Sequence, residues 1–539
     1  MLNNPTWMRR TLPINIRDCG LLGFLLTVAF VNTLLFQRPL YALALSTLSA
    51  LDWSGSLALT LLFVLQFTAT FTIFSLLGFV STPLLKIVII LLTLGNAVAL
   101  FYIDKFGVVL DRTMMANIFN TRLSEASDLF HPKLLLYVLF FGIVPSWLVF
   151  KLKIIKPRWW KQVSSIASIV LAAALWVYAN ASSWLWLDKN MRQFGGLILP
   201  WSYVINTTRH FNGVSEASAK QDLLPSANFK DKERVVVVLV IGESARAKNF
   251  SLYGYPRPTN PRLSALPVLV VPSARSCATY TTESIRCMLS HQGSKPDYAS
   301  RYEPLPSYLQ RHGANVAWRS NNWGQPRLEI ASFLTAADIR LGCEGDSCKR
   351  LDYDEVLLHK LTEQITKSNT YKNFIVLHQS GSHGPQYHAK YPAEFEIFKP
   401  ACKSVELSSC SNKELVNAYD NTITYTDHVL SQLIAQLNSL KNTAAVMIYA
   451  SDHGESLGEN GLYLHGTPAA IAPDVQLKIP FVVWMSDEFK RQRGLATNAT
   501  LPAGPYSHDH VFHSVIGAMG LRSPVYKKEL DIFEILPKK

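Results

Sequence analysis

The chain has 539 residues, of which 49% are hydrophobic and 17% charged, and its formal net charge is +13. So long and so apolar a chain is neither a disordered tail nor one small soluble domain. The basic excess does not mark a nucleic-acid binder, because +9 of it falls in residues 1–200 and only +4 in residues 201–539; that placement suits a membrane topology signal and leaves nucleic acid out as a partner.

Apolar runs of spanning length lie at about 20–36, 57–80, 84–103, 133–150 and 163–186, where ~20 residues are needed to cross a bilayer. They predict five transmembrane helices. Arg9, Arg10 and Arg17 precede the first, and Lys151, Lys153, Lys156, Arg158 and Lys161 lie between the fourth and fifth. Both basic groups belong on the cytoplasmic side. An odd number of spans then puts the rest of the chain on the far side. The first span is read as an uncleaved anchor, since cleavage would leave the basic loop outside. Next, Trp184, Trp186, Trp201 and Tyr203 are interleaved with Lys189, Arg192, Arg209 and His210, a composition suited to a membrane interface. The expected organisation is a transmembrane domain at 1–190, an interfacial bridging helix and linker at 191–232, and a catalytic domain at 233–539.

From residue 233 strand-like and helix-like runs alternate, which predicts an α/β sheet with helices on both faces. Helical patterns fall at 304–312, 353–368, 413–438 and 509–520. Four β-like runs end on polar groups: 234–242 on Glu243, 315–318 on Arg319 and Asn321-Asn322, 374–377 on His378 and His383, and 444–450 on Asp452-His453. Ligands of open parallel sheets sit beyond the carboxyl ends of the strands. Distant strands can therefore deliver Glu243, His383, Asp452 and His453 to one point, and carboxylates with imidazoles make a zinc-type set. Residues 276–290 are rich in hydroxyls and then turn helical from about 282. A hydroxyl there meets free N–H groups and the positive end of a helix dipole. Thr279, Thr281, Thr282 and Ser284 are all chemically eligible nucleophiles. A divalent cation lowers the pKa of a hydroxyl it touches, so one threonine oxygen with Glu243, Asp452 and His453 completes a tetrahedral set. Six cysteines fall as near neighbours, Cys277/Cys287, Cys343/Cys348 and Cys402/Cys410, an even set suited to disulfides in an exported domain, while Cys19 stands alone.

Four segments, 240–246, 251–260, 381–385 and 451–466, resemble the lipid A phosphoethanolamine transferases, the group that includes the polymyxin (colistin) resistance enzymes of the alkaline-phosphatase-like, sulfatase-like superfamily. The resemblance spans nearly the whole chain. It implies five membrane helices joined to a sulfatase-like α/β domain in the periplasm, anchored in the bacterial inner membrane. It also implies Thr281 as nucleophile and fourth zinc ligand beside Glu243, Asp452 and His453, because the family threonine lies four residues after one cysteine and six before the next. His383 and His465 match a histidine pair that holds phosphate or a second zinc. Asn117, Thr121 and Glu125, at helical spacing, match a lipid-headgroup pattern. The implied reaction moves phosphoethanolamine from phosphatidylethanolamine to a phosphate of lipid A in lipopolysaccharide through a covalent phospho-threonine. Diacylglycerol is released, the surface becomes less negative, and the enzyme is expected to be a monomer. Arg286 stands where many relatives have proline, and Pro326 where some have lysine, with Arg327 beside it, so acceptor choice stays open. Transfer to a core sugar, and a phosphoglycerol transferase or phosphodiesterase, are the competing readings. Sulfatase chemistry is disfavoured, because Cys277 lacks the later positions of the formylglycine motif.

Overall fold

The computed structural model describes residues 18–48, 52–111, 114–115, 118–119, 129–217, 221–295, 301–341, 343, 351–496 and 500–538; Asn117, Thr121, Glu125 and Cys348 lie outside the described residues. The chain forms two compact units, one of Met1–Asp104 with His131–Ile205 and one of Lys105–Phe130 with Asn206–Lys539.

The first unit is helical. Its elements are α1 (Leu21–Leu35), α2 (Arg38–Thr47), α3 (Trp53–Val80), α4 (Thr82–Phe106), α5 (Pro132–Lys151), α6 (Trp159–Ala179) and α7 (Ala181–Phe194). Among the described residues, α3 to α6 are each long and apolar enough to cross a membrane, and α1 with α2 makes a fifth span if that bent pair counts as one. The pair meets at 57°. Pro39 stands in the first turn of α2, and proline cannot supply the N–H that a continuous helix would need there. With 15 residues, α1 rises only about 22 Å. The predicted fifth run, 163–186, covers parts of two helices. Asn180 breaks it: its side chain donates to the Trp176 carbonyl at 2.9 Å, and α7 starts at the next residue.

Leu136, Phe140, Leu171 and Leu175 on α5 and α6 are exposed, as side chains solvated by lipid are. Polar groups face inward instead. Asn96 Nδ2 donates to Asn32 Oδ1 at 3.0 Å, Asn32 Nδ2 to the Leu199 carbonyl at 3.2 Å, and Tyr203 Oη to Asn96 Oδ1 at 3.1 Å. Such bonds tie helices together where no water competes. A further helix, α8 (Trp201–Ala217), starts among them, and Trp201 Nε1–H donates to Thr70 Oγ1 at 3.1 Å.

The second unit is built on a seven-stranded sheet. In chain order its strands are β1 (Val235–Gly242), β2 (Val268–Val270), β3 (Asn315–Ser320), β4 (Ser332–Thr335), β5 (Lys372–His378), β6 (Ala444–Ser451) and β7 (Phe481–Met485). Their spatial order is β2-β7-β6-β1-β5-β3-β4. The pairs β6-β1, β1-β5, β5-β3 and β3-β4 are parallel, and β7 runs against both of its neighbours. Central parallel strands are covered on both faces, so their sequences are unbroken apolar runs rather than alternations. Alternate residues of β1 serve two cores. Val235, Val237, Leu239 and Ile241 pack with α11 (Asp509–Met519), and Val236, Val238 and Val240 pack with α10 (Asn412–Asn438). Each of these buried side chains contributes on the order of 1.5–3 kcal/mol. Ser411 and Glu414 close a capping box at the start of α10, which fixes where that helix begins.

The register of β1 against β5 and β6 aligns Ile241 with His378 and Ala450, and Gly242 with Ser451. Glu243, Asp452 and the loop to His383 therefore leave the sheet side by side. The predicted helix at 353–368 is interrupted: a 3₁₀ turn at Asp354–Leu358 and a short helix at Leu361–Thr366 are separated by Lys360, whose φ is +53°. The break frees Asp354 to accept from the N–H groups of Ser380 (2.8 Å) and Gly381 (2.9 Å). After β6, Gly454 N–H donates to Gln476 O at 2.9 Å and Glu455 N–H to Val475 O at 3.0 Å. A Cβ on Gly454 would lie 2.0 Å from the Val475 carbonyl oxygen. We predict that Gly454→Ala destabilises the second unit by more than about 2 kcal/mol through overpacking against backbone; unfolding of the full-length protein in detergent measures it, and an unchanged midpoint contradicts it.

Candidate active site

The site lies beyond the carboxyl ends of β1, β5 and β6, where the turn after each strand is locked by its neighbours. Gly381 has φ +48°, and a Cβ there would fall 2.7 Å from the Glu243 carbonyl oxygen. Glycine thus lets the β5 loop close onto the residue that ends β1. Ser382 N–H donates to that same carbonyl at 2.9 Å.

Thr281 opens helix α9 (Thr281–Leu289), one residue earlier than the predicted start. The disulfide Cys277–Cys287 ties the preceding loop to that helix, and Cys402–Cys410 forms as expected. The remaining expected pair includes Cys348, outside the described residues. Two further ties hold the loop. Cys277 N–H donates to His508 Nδ1 at 3.3 Å while His508 Nε2 donates to the Ser451 carbonyl at 2.9 Å, and Gly466 N–H donates to the Thr279 carbonyl at 2.9 Å. Among the four eligible hydroxyls, Thr279 Oγ1 donates to the Thr467 carbonyl at 2.6 Å, and Ser284 Oγ faces the Ala278 carbonyl at 3.4 Å. The Thr281 hydroxyl faces the carboxylates. Its Oγ1 donates to Glu243 Oε2 at 3.1 Å and lies 3.5 Å from His453 Nε2.

His453 Nε2 is the common point of the cluster. Glu243 Oε1 lies 3.5 Å from it and Asp452 Oδ2 3.3 Å. All four side chains are buried. Proton accounting shows what the cluster demands. His453 Nδ1 lies 2.8 Å from the Gly454 carbonyl, which can only accept, so the ring proton sits on Nδ1 and Nε2 carries a lone pair. Burial holds the His453 imidazole down to about 3 and that of His383 to about 4, so both are neutral at neutral pH. Thr281 has one hydroxyl proton, and Glu243 Oε2 takes it. Asp452 Oδ1 accepts from Ser244 N–H at 3.0 Å and His453 N–H at 2.7 Å, but its buried Oδ2 has no hydrogen-bond partner. Burial, and then the adjacent Glu243 carboxylate, push Asp452 well above the usual carboxylate range.

Once Oδ2 is ionised, the lone pairs of Nε2, Oδ2 and Oε1 face one another, which is costly unless a cation takes the place of the proton that Asp452 otherwise holds. Their separations match the edges, about 3.3 Å, of a tetrahedron of N and O ligands around zinc. The residues therefore fit a zinc ion. Glu243, His453 and His465 also offer ligand atoms within 4.8 Å of one another, so His465, expected from the resemblance at the phosphate or a second zinc, stands beside the expected ligands. His383 joins them, its ring centroid 5.5 Å from that of His465.

Asn322 was not singled out as a site residue from sequence. Its Nδ2 donates to Glu243 Oε2 at 2.7 Å and to the Gln379 carbonyl at 2.9 Å. The only signal was its place at the end of β3. Glu455, fully buried, has Oε2 3.4 Å from His465 Nδ1. Asn117, Thr121 and Glu125 are outside the described residues.

The sheet with its edge cluster is that of a sulfatase-like hydrolase domain, and the sulfatase family model matches residues 236–521. A second family model, phosphoethanolamine transferase EptA/EptB, matches residues 66–213. Phosphoethanolamine transferase EptA of Helicobacter pylori is 35% identical over 97% of this chain and 97% of its own length. The integral membrane lipooligosaccharide phosphoethanolamine transferase A from Neisseria meningitidis superposes with a TM-score of 0.87 at 26% identity, covering 97% of this chain and 100% of that one. The C-terminal periplasmic domain of phosphoethanolamine transferase EptC from Campylobacter jejuni is 35% identical over 58% of this chain and 97% of that one, with a TM-score of 0.52. The chain belongs to the phosphoethanolamine transferase EptA/EptB family. It is an integral membrane enzyme with a periplasmic C-terminal catalytic domain.

The cluster predicts metal content. Full-length protein purified in detergent should carry zinc by elemental analysis, and Glu243→Ala and Asp452→Ala should each lower it severalfold or more. A Glu243→Ala variant that retains full zinc sinks the ligand assignment.

Proposed function

We propose that this enzyme takes phosphoethanolamine from phosphatidylethanolamine in the inner membrane and transfers it to a phosphate of lipid A. The observation that carries the mechanism is the Thr281 hydroxyl, set at the first residue of α9 and bonded to Glu243 Oε2 at 3.1 Å. Glu243, Asp452, His453 and Thr281 would hold zinc. When bound, zinc supplies the positive charge that favours an ionised hydroxyl and offsets charge on phosphoryl oxygens. The hydroxyl proton is already directed at Glu243. Thr281 Oγ1 attacks the donor phosphorus, the bond to the diacylglycerol oxygen breaks, and diacylglycerol leaves with a proton. The headgroup is then carried on Thr281 as a phosphodiester. The free N–H groups at the start of α9 face the phosphoryl oxygens, a role helix N-termini suit. In the second step a lipid A phosphate oxygen attacks the same phosphorus and the threonine hydroxyl is restored. His465 and His383 hold the phosphoryl group and move the proton between leaving and entering oxygens. The acceptor reading is supported by the lipooligosaccharide named for the Neisseria relative. Its consequence is a less negative outer surface and weaker binding of polymyxins.

Two measurements test this. Thr281→Ala should lower transfer at least a thousandfold while zinc content and unfolding midpoint stay near wild type; retained activity removes Thr281 from its role. Mass spectrometry of lipid A from cells expressing the wild type should show one added phosphoethanolamine on a phosphate, absent with Thr281→Ala. Addition to a core sugar, or of phosphoglycerol, would replace the acceptor or donor assignment while leaving the chemistry in place.

A further inference from the structure

Ser244 follows the first carboxylate of the cluster, and its backbone is left-handed, with φ +54°. Glycine, and less often asparagine or aspartate, adopts that region readily; for serine the Cβ makes it strained. A fully buried serine held there points to something that glycine would not supply.

Three groups of Ser244 are engaged at once. Its N–H donates to Asp452 Oδ1 at 3.0 Å, its Oγ donates to Glu243 Oε1 at 2.6 Å, and its carbonyl accepts from Tyr419 Oη at 2.6 Å. The Tyr419 oxygen also accepts from Arg246 N–H at 3.0 Å, which clamps the turn from both sides. The same Oγ lies 3.4 Å from His465 Nδ1. A hydroxyl has one proton, and the Glu243 carboxylate takes it at the shorter distance. Toward His465 the oxygen can then only accept, so His465 Nδ1 must carry the hydrogen. Glu455 Oε2, 3.4 Å from the same Nδ1, is an acceptor as well. Two acceptors at Nδ1 leave Nε2 with the lone pair, the form that accepts a proton or binds a metal or phosphoryl group.

We propose that Ser244 is a positioning residue that sets the Glu243 carboxylate for the metal and the His465 tautomer for proton transfer with one hydroxyl. Its backbone strain is the cost of presenting N–H and Oγ–H to two carboxylates from adjacent strands. The proposal rests on the ligand reading above, and zinc retained by Glu243→Ala would sink that reading whatever Ser244 does.

Ser244→Gly is the discriminating variant, because it removes the hydroxyl, keeps the N–H to Asp452 and relaxes the backbone. If the serine is merely structural, glycine should be tolerated in every respect. We expect full-length Ser244→Gly in detergent to unfold at or above the wild-type midpoint. Its zinc affinity, measured by competition with a chelator, should fall roughly 10- to 100-fold, as for other residues that orient metal ligands. At saturating zinc, kcat with phosphatidylethanolamine should fall at least tenfold while KM changes less than twofold. Ser244→Ala, measured beside it, should show the same two losses at a lower midpoint. Wild-type zinc affinity in the glycine variant overturns the link to Glu243, wild-type kcat at saturating zinc overturns the link to His465, and failure of the glycine variant to fold overturns both.

Discussion

The catalytic unit is organised around an unfavourable meeting. One nitrogen and two oxygens converge at His453 Nε2, Asp452 Oδ2 and Glu243 Oε1, with separations of 3.3 and 3.5 Å, so ionising both carboxyls sets lone pair against lone pair. In a buried setting such an arrangement persists only if the scaffold enforces it or a cation rewards it. The scaffold does much of the enforcing. β1 and β6 are adjacent and in register at their ends, so Glu243 and Asp452 cannot separate without breaking the centre of the sheet. Gly381 and Gly454 admit backbone oxygens too close for any side chain. Both cores, one on each face of the sheet, hold that geometry rigid.

The proposed nucleophile is secured from a different direction. Thr281 is carried on a helix rather than on a strand end, and its loop is bonded to the end of β6 through His508 and to the segment containing His465 through Thr279. Residues that would exchange a phosphoryl group therefore share a frame, although 172 positions separate Thr281 from His453. Asn322 brings the end of β3 into the same frame through Glu243 Oε2.

What the sequence disclosed follows from how the physics is written into it. Fully buried parallel strands are near-continuous apolar runs, so 235–242 and 444–451 stand out, and the polar residue that follows each run is at once a candidate ligand. The pairs Cys277–Cys287 and Cys402–Cys410 were legible because short loops bring neighbours together. Other features depend on contacts no local pattern carries. The left-handed Ser244 is held by tertiary hydrogen bonds, and beside the break at Lys360 the His359 carbonyl accepts from Arg319. The 57° bend between the first two helices falls just past the apolar run at 20–36, and the second helix of the pair lies outside that run. By chemistry alone four hydroxyls were eligible, and the choice of Thr281 came from the resemblance; their partners differ, since Thr279 is spent on a carbonyl whereas Thr281 meets Glu243.

The bridge between Cys277 and Cys287 encloses the residue at which the chemistry is proposed to occur. Thiols stay reduced in the cytosol and pair where the surroundings oxidise them. A newly made chain that has not yet crossed the bilayer would therefore lack this closure around Thr281. Maturation and delivery become the same event, and the fold itself withholds a finished centre from the compartment in which phospholipids are made.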